Sequence, residues 1–128
     1  MHTVIMLFAV KNFIFPGLRF ALIITFIFII LILIGTLTPL PQKIDAPATD
    51  KWHHFIAFAA LTYPLTASNK RFGIAIVIFG LSLGAAIEII QPYVNRFSDL
   101  NDFKADAVGI FVGYLIGNLS YKYKNLLR

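Results

Sequence analysis

The sequence predicts an all-α integral membrane protein: a four-transmembrane-helix bundle with a short N-terminal interfacial segment. Composition is the first reason. Hydrophobic residues make up 59% of the 128 and charged residues 13%, with a mean hydropathy of +0.80, whereas a soluble domain runs nearer a quarter charged. Patterning is the second. The apolar residues gather into four blocks separated by short polar or proline-bearing turns, and each block reaches about the 20 residues that cross hydrocarbon once its flanks are included. That length fits one membrane domain. The absence of cysteine excludes disulfides and thiolate metal sites. A net charge of +5 in so apolar a chain points to topology and anionic lipid headgroups, and not to nucleic acid.

Residues 1–17 are apolar but broken by Lys11, Asn12, Pro16 and Gly17, which predicts a helix lying in the interface. They do not read as a signal peptide: no basic n-region is present, no small-residue cleavage site follows Val10, and a full span comes next. That span, 18–37, is dense in Ile, Leu and Phe without a charge after Arg19. It reads as a lipid-facing anchor. Residues 38–49 hold Pro39, Pro41 and Pro47 and predict an irregular but restricted connection.

The second span is 50–68. Its purely apolar part, 55–67, covers only about 20 Å, so a crossing of roughly 30 Å requires the helix to begin near Asp50. His54 is thereby drawn below the surface. Asp50 stands where an N-cap belongs, four residues before His54 on the same face, and Pro64 is expected to kink the helix without ending it.

The third span, 72–91, is entered through Asn69, Lys70 and Arg71. Gly80, Gly84 and Glu88 recur every fourth residue and Gln91 follows three later, so small and polar residues share one face. Glu88 is the chain's sole glutamate. An ionisable group in an apolar span costs at least a few kcal/mol on insertion scales, which predicts that this face meets protein.

The fourth span is 102–121, where an apolar stretch of about 20 Å must recruit Asp102 and Asp106 to reach across. Gly109, Gly113 and Gly117 form a small-xxx-small stripe that permits close helix approach, and its expected mate is the Gly80 and Gly84 stripe. Trp52, Tyr93, Tyr121 and Tyr123 fall at predicted span ends as interfacial anchors.

Charge asymmetry predicts the orientation. Lys11, Arg19, Lys70, Arg71, Lys122, Lys124 and Arg128 share one side, against Lys43, Lys51, Arg96 and Lys104 on the other. The positive-inside rule then places both termini in the cytoplasm and all six acidic residues on the outer side.

Asp50, Lys51, His54, Glu88, Gln91, Arg96, Asp99, Asp102 and Asp106 are therefore expected to converge from three helix ends on one membrane surface. Taken singly, each has a bland role: Asp50 and Asp102 as caps, Lys51, Arg96 and Lys104 as headgroup contacts, Gln91 and His54 as interhelical hydrogen-bonders. Taken together they predict a site, because submerging both His54 and Glu88 for capping alone is a costly arrangement.

These residues also resemble a family. Asp50-Lys51-x2-His54, Glu88-x2-Gln91, Arg96 and Asp102-x3-Asp106-x2-Gly109-x3-Gly113 look like the pattern of VanZ-like bacterial membrane proteins, named for a teicoplanin-resistance protein, over residues 50 to about 117. One departure is Asp106, which stands where that pattern has Asn. The resemblance implies a small multi-pass protein of the bacterial cytoplasmic membrane, linked to glycopeptide susceptibility and the cell envelope, with no reaction attached.

The residues themselves suit an outward-facing site for an anionic amphiphile, a membrane lipid or a lipid-linked cell-wall precursor. Two helix N-termini favour anions. Asp50, Lys51, Gln91, Arg96, Asp102 and Asp106 are the candidate binding residues. In a catalytic version, His54 or Glu88 is the general base and Arg96 stabilises developing negative charge; whether the site is catalytic stays open. The carboxylates of Glu88, Asp102 and Asp106 suit a hard cation, but no spacing is diagnostic of metal. No cofactor motif is present: the glycines sit mid-helix, with no phosphate loop, zinc pattern or serine elbow. Two alternatives remain. One is a non-catalytic protein whose polar cluster locks the helices while its surface binds a partner. The other is a small proton-coupled exporter, which the position of Glu88 near a span end disfavours. Oligomeric state is not readable.

Overall fold

The structure, a computed structural model, describes residues 1–39 and 50–127, apart from the side chain of Asp50. Five α-helices follow one another: α1 (His2–Ile14), α2 (Leu18–Leu37), α3 (Asp50–Ser68), α4 (Lys70–Ile90) and α5 (Leu100–Leu126), with a 3-10 turn, Gln91–Val94, after α4. No strand occurs among the described residues. The expected proline-bearing connection, and the expected cap at Asp50, lie outside what is described.

Helix ends follow local chemistry. Asn69 caps α4 by accepting from the Arg71 amide at 3.0 Å, and Asp99 caps α5 by accepting from the Asn101 amide at 2.8 Å. The cap of α5 is thus Asp99 and not Asp102, which sits in the first turn and is buried. Helix α5 also runs past residue 121 to Leu126, since no glycine or proline stops it. Pro64 is buried within α3, which continues beyond it to Ser68.

Helix α3 is the centre of the bundle. It buries Phe58, Leu61, Leu65 and Ala67, and its buried Thr62 and Thr66 hydroxyls donate to the carbonyls one turn back, Phe58 O and Thr62 O. One apolar cluster ties all four bundle helices together through Ile32, Phe58, Leu61, Ile87 and Ile110, and a second joins Ala21, Leu65 and Ile76. Helix α5 runs parallel to α3 and antiparallel to α4, as the pairing of Gly109 with Phe55 and Gly117 with Thr66, against Gly73 with Tyr114 and Gly84 with Asp106, requires.

The glycine stripe of α5 does not meet the stripe of α4. A Cβ built at Gly109 would lie 2.3 Å from Phe55 O, one at Gly113 2.5 Å from Ala59 O, and one at Gly117 2.7 Å from Thr66 Cβ. Its mate is the backbone of α3. Gly80 and Gly84 of α4 instead receive larger α5 side chains, Ile110 and Asp106. Small-xxx-small spacing marks a close approach; it does not say to which neighbour.

Among the described residues two stretches are long and apolar enough to cross a membrane, Leu18–Leu37 and Lys70–Val94, and only 17% and 28% of their apolar windows are buried within the protein. Their outward faces carry Phe26, Leu31, Ile74 and Ile78, all largely exposed. Helix α1 buries no residue at all. It is held at its C-terminal end, where Tyr63 Oη donates to Ile14 O at 2.7 Å and Lys124 Nζ to Pro16 O at 3.4 Å.

Candidate functional site

The ends of α2 and α4 and the starts of α3 and α5 meet at one end of the bundle. There His54, one turn into α3, hydrogen-bonds through Nδ1 to Asp106 Oδ1 of α5 at 2.8 Å, with side chains 4% and 0% exposed. An ionised carboxylate only accepts, so in that state the bonding proton sits on Nδ1. Asp102, one turn earlier on α5, brings Oδ2 to 4.0 Å from His54 Nε2. The imidazole is thus set between two buried carboxylates, an arrangement that fixes ring orientation and tautomer.

Asp106 also reaches a third helix. Its Oδ2 is buried without an N–H or O–H donor, and a Cβ at Gly84 would stand 2.9 Å from it. That oxygen packs against the backbone of α4 at Gly84. One carboxylate therefore joins α3, α4 and α5. Gly84 lacks a side chain because that carboxylate fills the space.

Glu88 has a different set of partners. Its Oε2 accepts from Ser98 Oγ and from the Asp99 amide, both at 2.9 Å, and so fastens the end of α4 to the loop that enters α5. Asp99 in turn lies 3.9 Å from Lys51 Nζ through Oδ2, a half-exposed ion pair across α3 and α5. Such a pair contributes on the order of 0–1 kcal/mol.

Gln91 and Arg96 both turn toward α2. Gln91 Nε2 donates to Thr36 O at 3.3 Å and Arg96 Nη2 to Gly35 O at 3.4 Å. The last carbonyls of a helix have no donor within it, so these two side chains cap α2 from outside. Asn95 makes this reach possible: its left-handed conformation, φ 58° and ψ 40°, reverses the chain just before Arg96.

Between α2 and α3 a groove of about 390 Å³ opens at the same end. Phe28, Leu31 and Ile32 form one wall and Ile56, Ala57 and Ala60 the other, while Thr36, His53, His54 and Arg96 gather at its polar end. Glu88, Asp102 and Asp106 are not among its lining residues. The expected constellation is thus one neighbourhood with two parts: carboxylates folded into the helix junction, and basic and imidazole groups on the groove. Among the described residues no three His, Asp or Glu side chains come together as a metal site, so Glu88, Asp102 and Asp106 do not form a cation trio.

His53, Ser98, Gly35 and Thr36 are parts of this end that the sequence did not single out. Ser98 had a signal, lying between Arg96 and the capping Asp99. The Gly35 and Thr36 carbonyls had none, because their partners come from a loop some 60 residues away. No protein-family model, curated protein or solved structure matches the chain.

Proposed function

We propose that the chain is a four-span, VanZ-like protein of the bacterial envelope that binds an anionic amphiphile in the groove between α2 and α3. The amphiphile is a membrane lipid or a lipid-linked cell-wall precursor. The observation that carries this reading is the groove itself: an apolar trough that ends in one guanidinium and two imidazoles. Its walls suit an acyl or isoprenoid chain. Its polar end suits the phosphate, which Arg96 can hold with more than one N–H. Taking up a precursor in this way is a route to altered teicoplanin susceptibility.

A four-span arrangement is supported by the way α3 and α5 bury His54, Asp102 and Asp106 against one another while α2 and α4 turn apolar faces outward. Helix α3, with 19 residues, is about 28 Å long, close to the roughly 30 Å of hydrocarbon. Trp52 and Tyr93 are exposed at the site end and Tyr123 at the other, where belts of such residues meet the interfaces. The distribution of Lys and Arg supports an orientation with the site on the outer side and both termini inside.

A second reading, a purely structural role for the cluster, is favoured by the protein partners that His54 Nδ1 and Glu88 Oε2 engage at 2.8–2.9 Å. It applies to the carboxylates and argues against Glu88 as a general base. Native mass spectrometry of the protein in mild detergent, beside Arg96→Gln, separates the two. A phosphate-bearing lipid on the wild type that is lost in the variant supports the binding site. An empty wild type would leave only the structural role.

A further inference from the structure

We infer that α1 is an arm that enters the lipid leaflet at the opposite end of the bundle, and that a basic collar at its joint makes its insertion depend on anionic headgroups. The arm is apolar from Val4 to Val10, and no residue of α1 is buried. Its polar side chains, His2, Thr3, Lys11 and Asn12, sit toward its two ends instead of along one face. A helix that rests in the interface has a polar face for water; α1 has none. Hydrocarbon all round it satisfies that pattern.

The joint is built, not frayed. Besides the Tyr63 and Lys124 bonds to Ile14 O and Pro16 O, Phe13 lies 6.5 Å from the Tyr63 ring and Phe15 stacks on Tyr123 at 6.1 Å. The arm is thereby fixed to the ends of both α3 and α5. Lys11, Arg19, Lys122 and Lys124 surround this joint in sequence and fold, while the acidic groups with described side chains, Glu88, Asp99, Asp102 and Asp106, all lie at the other end. A collar of one sign beside an uncovered apolar rod matches a single partner of mixed chemistry. An anionic bilayer offers phosphate to the collar and acyl chains to the rod; an acidic protein or a nucleic acid offers the first without the second.

The inference rests on the membrane placement proposed above, and vesicle flotation of the chain tests that placement separately. The probe is the full chain carrying Trp52→Phe and Phe8→Trp, so that the sole tryptophan reports on the arm. It is reconstituted in phosphatidylcholine vesicles with brominated acyl chains, with and without phosphatidylglycerol. Bromine quenching is expected to deepen as phosphatidylglycerol is added and to recede in high salt, which screens exposed charge. Lys11→Gln with Lys122→Gln removes two exposed charges and leaves the Lys124 bond in place. About fivefold weaker dependence on phosphatidylglycerol per charge removed is expected. A chain that floats but whose tryptophan stays unquenched overturns the arm. Equal quenching with and without phosphatidylglycerol overturns the collar. Cross-linking of position 8 between copies assigns the rod to a second chain and overturns both.

Discussion

Replacing Gly109 with alanine tests the packing and the site at once. The added Cβ would lie 2.3 Å from Phe55 O and 3.2 Å from Ala59 N. A carbon approaches a carbonyl oxygen no closer than about 3.3 Å, so α5 must retreat from α3 by about 1 Å. Backbone on the far side cannot rotate out of the way. A gap of that size gives up a quarter to a half of the dispersion energy along the seam, and overpacking of this kind costs roughly 1–3 kcal/mol. Because Phe55 follows His54 and Gly109 lies one turn after Asp106, the same retreat stretches the 2.8 Å His54–Asp106 bond toward breaking. That loss adds about 1–3 kcal/mol. Gly80→Ala is the contrast: its Cβ meets side-chain atoms, Ile110 Cδ1 and Cγ1 at 3.0 and 3.2 Å and Leu61 Cδ2 at 3.9 Å, and alanine's helix propensity returns about 1 kcal/mol. Gly35→Ala, which meets no described atom within 4 Å, carries no clash and is the steric control. Thermal unfolding in mild detergent should rank Gly109→Ala far below the other two, and the His54 ring nitrogens should shift by NMR only in Gly109→Ala. If Gly109→Ala melts with Gly80→Ala, the account of the α3–α5 seam is wrong.

Asp106→Asn retains an oxygen for the His54 ring and should cost about 1 kcal/mol, while Asp106→Ala, which breaks the buried pair, should cost about 3–5 kcal/mol; equal losses by denaturation would show that charge, not acceptor geometry, holds the junction. For Glu88→Gln, the amide oxygen keeps both accepted bonds and its NH₂ replaces the unpartnered Oε1, so stability should stay within about 1 kcal/mol. Glu88→Ala should instead speed hydrogen exchange at the Asp99 amide. Tyr63→Phe removes the donor to Ile14 O and should loosen α1 by about 1 kcal/mol, seen as faster exchange in residues 2–14 with the melting of the bundle unchanged.

Much of the helical layout was legible because apolar run length sets helix length: 18–37 and 50–68 stand as helices at those bounds. The convergence of His54, Glu88, Gln91, Arg96, Asp102 and Asp106 was legible too, since alternating helices must return their ends to two surfaces. Pairing within that set was not. His54 could have met Glu88 as well as Asp106, and only the depth at which Gly109 lets α5 sink onto α3 decides it. The groove was hidden for a related reason: it is the space left where α2 fails to pack tightly on α3, and a gap has no pattern in a sequence. Arg96 was legible as a charge but not as a cap, because its reach depends on the left-handed turn at Asn95.

The placement of α3 also bears on the order in which the chain can take shape. Helix α3 emerges during synthesis well before α5, yet the carboxylate that answers His54 lies 52 residues downstream, and the surface that covers Phe55, Ala59 and Thr66 belongs to α5. Until then a helix that carries a buried imidazole waits beside α2 with its principal partner untranslated. A chain cut before residue 100 would therefore hold an uncovered α3, so the first three bundle helices should be the segment that chaperones and quality-control proteases find.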